Sequence, residues 1–235
     1  RKTNVCVVSK SGEGDYHTIT AASDDCPAGS QIKVKPGIYK ESLVLNKTVE
    51  VVSDAPGQEV IVIGQNQPTV RMEAQHATLR GLILRTITHD PGQSISTVDI
   101  TKGELLLEHC EINSTSGPCV SLSGSESNPT FRQCQIREGM HQGIVCTNGS
   151  QGMFENCDIS GHVSTGVSIR TGANPLLRKC RVYGGKENGV VVTNGGLGIF
   201  EDCDISKNSQ AAVAIQEEGD PVLRRCQIRN GNGGV

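Results

Sequence analysis

The sequence predicts an all-β fold: a single-stranded right-handed parallel β-helix of roughly eight coils, with a short N-terminal capping helix. Three observations carry that expectation. Cysteines at 110, 134, 157, 180, 203 and 226 are spaced by 24, 23, 23, 23 and 23 residues. Apolar side chains keep a fixed phase to them, with Leu107, Phe131, Phe154, Leu177, Phe200 and Leu223 three before and Ile112, Ile136, Ile159, Val182, Ile205 and Ile228 two after. Within each unit the apolar positions alternate with period two in short stretches bounded by Gly, Asn, Asp and Pro, which is a strand pattern. A unit of this length is too short for a repeat of paired helices. It suits three short strands and three turns, one coil of a solenoid whose successive coils pair about 4.8 Å apart.

Taken in order, residues 1–235 read as one domain. Residues 1–28 form an N-terminal strand and cap, in which Val5–Ala22 gives a strand, a Gly-rich turn and a helical stretch with Ile19 and Ala22 on one side. A helix here covers the open first coil. Residues 29–109 form irregular coils, with strands in 31–45, 48–54, 60–64, 69–72 and 79–84 and a projecting turn-rich loop at 88–94. Residues 110–235 form the regular coils. They stop at Arg229–Val235, where another coil should begin, so the sequence is expected to be truncated there and to offer an open coil for self-association. A start at Arg1 likewise suggests a fragment of a longer protein.

The repeat also locates a corner. Residues three apart, such as Phe131 and Cys134, cannot both face inward along one flat strand, so the chain bends between them. Two before each Cys the outward column reads Glu108, Arg132, Glu155, Arg178, Glu201, Arg224, alternating in sign at every step. Such stacking disfavours a one-coil slip, which would set like against like. A longer period lies on top: Pro129, Pro175 and Pro221 are 46 residues apart, with Gly152 and Gly198 at the same site in alternate coils.

Composition narrows the function. Lys+Arg total 22 against 25 Asp+Glu, a net charge of −3, which gives no electrostatic case for nucleic acid. No apolar run reaches the length of a membrane span. Of the ten cysteines, six form one inward column and Cys146 takes a slot filled later by Ile169 and Val192. They are expected to be reduced packing thiols, which favours a cytoplasmic setting. A straight column cannot wrap a tetrahedral metal, so no metal and no cofactor are expected.

Catalytic signals are sparse. Asp158 and Asp204 follow their cysteines, but Arg181 interrupts the column between them, so they read as solvated charges. His89-Asp90 is the one local pair able to do acid–base work, although Asp before Pro91 also suits a turn. His109, His141 and His162 fall on outward or turn positions and share no column. The flat outward face of the strand after each Cys segment carries Ser121, Val145, Ser168, Val191 and Ala214, then Ser123, Thr147, Arg170, Thr193 and Gln216. Small and β-branched residues there suit a protein contact or a glycan.

The segment 174–215 resembles the β-helix modules of F-box-only ubiquitin-ligase subunits and of bacterial signalling proteins such as serine/threonine kinases, within the wider pectin-lyase-like family. The front end, with Gly37-Ile38-Tyr39-Lys40-Glu41, is also similar to the G-x-Y-x-E opening of pectin methylesterases. The first resemblance implies a non-catalytic protein-interaction or substrate-recruiting module of a larger intracellular regulatory protein, with a protein partner. Ser121, Val145, Thr147, Ser168, Arg170, Val191, Thr193 and Ala214 would be its contact residues. The second implies the alternative, a carbohydrate-active (lyase-, esterase- or epimerase-like) or glycan-binding β-helix.

Overall fold

The fold is taken from a computed structural model, which describes residues 4–55, 57–90, 92–229 and 231. The chain winds into a parallel β-solenoid with three sheets, all of whose pairings are parallel. Sheet A has ten strands, from Val5–Val8 to Val222–Arg224; sheet B has nine, from Gly37–Tyr39 to Gln227–Arg229; sheet C has eight, from Leu43–Leu45 to Val213–Ile215. Each coil visits A, B and C in turn. The ten strands of sheet A exceed the roughly eight coils expected, because the early coils differ in length. Register partners lie 19 residues apart at Ser30↔Val49, 28 at Glu50↔Thr78 and at Thr78↔Leu106, 24 at Leu106↔Thr130, and 23 only from Thr130↔Met153 onward.

The expected corner lies between sheets A and B. The residue before each column cysteine adopts the left-handed region: His109, Gln133, Asn156, Lys179, Asp202 and Arg225, with φ between 50° and 54°. That single residue turns the chain and leaves both neighbouring apolar side chains inside. The interior is then filled in layers. Phe131 stacks on Phe154 with centroids 4.6 Å apart and an interplanar angle of 12°. The six column thiols are free, and each Sγ–H points to a carbonyl of the preceding coil, as in Cys180 to Phe154 O at 3.3 Å and Cys203 to Leu177 O at 3.4 Å. Burial pushes the Cys119 thiol up to about 12 and raises Cys146 as well, so both stay protonated.

Two cysteines depart from the expectation of packing thiols throughout. Cys6 on the first strand and Cys26 at the end of the helix form a disulfide across 20 residues of sequence. Neither belongs to the repeat column, so periodicity gave them no partner; the fold-back of the helix onto the first strand does.

The helix Ile19–Asp25 forms where expected and buries Ile19, Ala22 and Ser23 against the first coil. Thr18 caps it, accepting from Ala21 N–H. Glu41 completes the cap from another part of the chain: its carboxylate accepts Ile19 N–H at 3.0 Å, Thr20 N–H at 2.8 Å and the Thr20 hydroxyl at 2.7 Å. Tyr39 is fully buried and donates its hydroxyl to Lys35 O at 2.8 Å. The Gly37–Glu41 stretch therefore joins the cap to the solenoid. Among the described residues no helix is long and apolar enough to cross a membrane.

Candidate functional site

The outward face of sheet C carries the residues picked out from the sequence, in the predicted columns. Ser121 lies beside Val145, Val145 beside Ser168, Ser168 beside Val191 and Val191 beside Ala214; Ser123–Thr147 and Arg170–Thr193 form the second column. Val145 is the exception in exposure, at 7%, and offers little surface. None of these side chains is a strong acid or base except Arg170.

The same column continues toward the N-terminus into residues that the sequence reading did not single out. Asp99 pairs in register with Ser121 on one side and Arg71 on the other. Val98–Ile100 and Val70–Met72 each bury their flanking apolar residues and turn the central side chain outward. A carboxylate, a guanidinium and a hydroxyl thus stand on three successive strands, about 4.8 Å apart. Asp99 is half-buried, and that desolvation raises its carboxyl above the usual carboxylate range, with the charge of exposed Arg71 pulling the other way. The available signal was the alternation Thr97-Val98-Asp99-Ile100. It was hidden because Val98 lies 22 residues before Val120 and 28 after Val70, outside the 23-residue frame.

The other candidates resolve into structural roles. Asp90 accepts from Gly92 N–H at 2.9 Å and its own N–H bonds the Thr88 hydroxyl, while the His89 N–H goes to Asn66; all are exposed turn contacts. Pro91 lies outside the described residues. Asp158 is held by Arg181 through two bonds, one of them 2.6 Å from Nε to Oδ1, and Asp204 by Arg229 at 2.6 Å. His109 and His141 are exposed. His162, expected on an outward or turn position, is buried at 1% exposure. Its Nδ1 accepts Gly139 N–H at 3.2 Å, so the proton sits on Nε2, which donates to Ile136 O at 2.9 Å. Among the described residues no group of three or more His, Cys, Asp or Glu side chains is placed to hold a metal ion.

The sequence matches the family described as right handed beta helix region over residues 70–198 and again over 165–235. Among curated proteins it is 27% identical over 168 residues to a probable pectinesterase/pectinesterase inhibitor of Arabidopsis thaliana, covering 67% of this chain and 26% of that protein. The chain thus spans about a quarter of that relative's length. Among solved structures, a pectin methylesterase from Aspergillus niger superposes with a TM-score of 0.71 at 14% identity, covering 99% of this chain and 86% of that one. The A-module of a mannuronan C-5 epimerase from Azotobacter vinelandii gives 0.65 at 14% identity, over 91% and 73%. At such identities the structures establish the fold. These similarities correct the expectation of a non-catalytic recruiting module of an intracellular regulatory protein. The chains that match along its length are named for chemistry on pectin and mannuronan, and the expected protein partner finds no support among them. Repeat resemblance in the C-terminal coils alone had suggested otherwise, because those coils are scaffold common to many β-helices.

Proposed function

Because the chain belongs to the right-handed β-helix family, which its sequence matches over more than half its length, we propose that it is a carbohydrate-active β-helix receiving an acidic polysaccharide across the outer face of sheet C. The observation that carries this reading is the Arg71–Asp99–Ser121 row, supported by the pectinesterase relative. Arg71 supplies a planar donor for a uronate carboxyl group. Asp99, with its carboxyl pKa raised by burial, is the group in the row able to take up and return a proton. On a methyl-esterified uronate, a water oxygen bonds to the ester carbon while its proton passes to Asp99. The methoxy group then leaves as methanol with that proton. Arg71 stands beside the carbonyl oxygen on which charge develops.

Methanol release from methyl-esterified pectin tests this. The D99N protein should lose about a hundredfold or more of the rate, with its thermal melt unchanged. R71A should weaken substrate use and move the acidic limb of the pH profile upward, since the guanidinium charge lowers the Asp99 pKa. Equal rates in D99N and the parent would overturn the assignment. Unsaturated ends or C5 epimerisation in place of methanol would keep the face and replace the reaction.

A further inference from the structure

A concavity lies on sheet A, away from the Asp99 face. It is a trough of 530 Å³ along the early coils, lined among others by Ser30, Thr48, Glu50, His76, Thr78 and Glu104. Two outward columns build it. In one, Glu50, Thr78, Leu106 and Thr130 follow one another in register. In the other, His76 pairs with Glu104, and the imidazole Nδ1 lies 3.1 Å from the Glu104 carboxylate, leaving Nε2 for a ligand. Ser30 borders the trough, but its side chain is buried, in register with the buried Val49.

Glu50 is paired with Arg80 at 2.6 Å and accepts from Gln31 at 2.8 Å, Arg132 is paired with Glu108 and Glu155, and Glu104 accepts a hydrogen bond from His76 Nδ1. What the trough offers a ligand is a run of hydroxyls, lone pairs on paired carboxylates, one imidazole nitrogen and the apolar edge of Leu106. Such a lining fits neither a polyanion nor a polycation. It fits vicinal diols, which donate to carboxylate oxygens and to the imidazole Nε2 and accept from hydroxyls. The chemistry is confined to these coils: farther along, the Thr130 column continues as Met153, Leu176, Ile199 and Val222.

We infer that this trough is a second carbohydrate site that binds a neutral, polyhydroxylated oligosaccharide running along the solenoid axis. It rests on the carbohydrate reading above and extends it, since the Asp99 row takes the acidic chain and the trough takes an uncharged one. Calorimetric titration of the whole chain with xylohexaose tests it, alongside T78V, E104A and D99N proteins checked for unchanged melting. Saturable binding that weakens about fivefold or more in T78V and E104A, and is unaltered in D99N, is the expected result. Binding lost in D99N but retained in T78V and E104A would overturn the trough and leave the sheet C site standing. Absence of any xylohexaose heat would also overturn it, while methanol release from pectin still reports separately on Asp99.

Discussion

His162 shows how one side chain inside a repeat carries a measurable consequence. Asn208, 46 residues later, makes the same two contacts: its Nδ2 donates to Val182 O at 3.2 Å and its Oδ1 accepts Gly185 N–H at 3.1 Å. The glycines opening the facing strands leave room for these groups and for the next coil's backbone: a Cβ at Gly143 would meet His162 Nε2 and Gly166 O at 2.6 Å, and one at Gly189 would meet Asn208 Nδ2 and Ala212 O at 2.6 Å. Burial lowers the His162 pKa to about 4 from an ordinary 6.5. A second proton would have to sit on Nδ1, facing the Gly139 N–H. The imidazole therefore contributes stability that is complete above about pH 6.5 and lost as pH falls toward 4, since only the unfolded chain takes up the proton there. The fall amounts to about 3 kcal/mol. In H162N, which copies Asn208, urea unfolding between pH 4 and 7 should lose most of that slope. An undiminished slope would assign it to other groups.

At the scale of elements, the helix illustrates a cap assembled from distant sequence. Seven residues cannot sustain a helix by propensity. Packing of Ile19 and Ala22, the Cys6–Cys26 bond and the Glu41 carboxylate hold it in place. Glu41→Ala removes acceptors from two helix N–H groups and should cost about 2 kcal/mol in guanidinium unfolding. A loss below a few tenths would mean that water replaces the carboxylate without penalty. The thiol ladder is another element-scale device. Cysteine is small enough to stack at every coil, and its S–H reaches back to a carbonyl of the preceding coil.

The whole molecule is a rod of ten coils on sheet A, about 43 Å from first strand to last. Its register is guarded by the alternating charges. Arg80 bridges Glu50 and Glu108, Arg132 bridges Glu108 and Glu155, and Glu201 bridges Arg178 and Arg224. Between Glu155 and Arg178 no ion pair forms among the described residues, so the expected unbroken ladder has one open step. E155R would stack three guanidinium groups in a row and should lower stability by about 1–2 kcal/mol at low salt. At 1 M salt the loss should shrink by about half or more, because the charges are exposed. A salt-independent loss would point to packing in place of charge.

The sequence by itself determined the solenoid, its inward thiol and benzyl columns, the outward ladder, the N-terminal helix and the contents of the regular sheet C face. Each of these repeats at a fixed interval, and a parallel stack converts equal phase into vertical neighbourhood. Tertiary structure alone decided the rest. Asp99 beside Arg71, His76 beside Glu104, Cys6 joined to Cys26 and Glu41 on the helix end are pairs outside the 23-residue period. The early coils vary in length by insertions in their turns, and backbone pairing realigns them regardless of the count between. The residues most able to do chemistry lie in those coils, where strand register replaces sequence interval as the rule that brings side chains together.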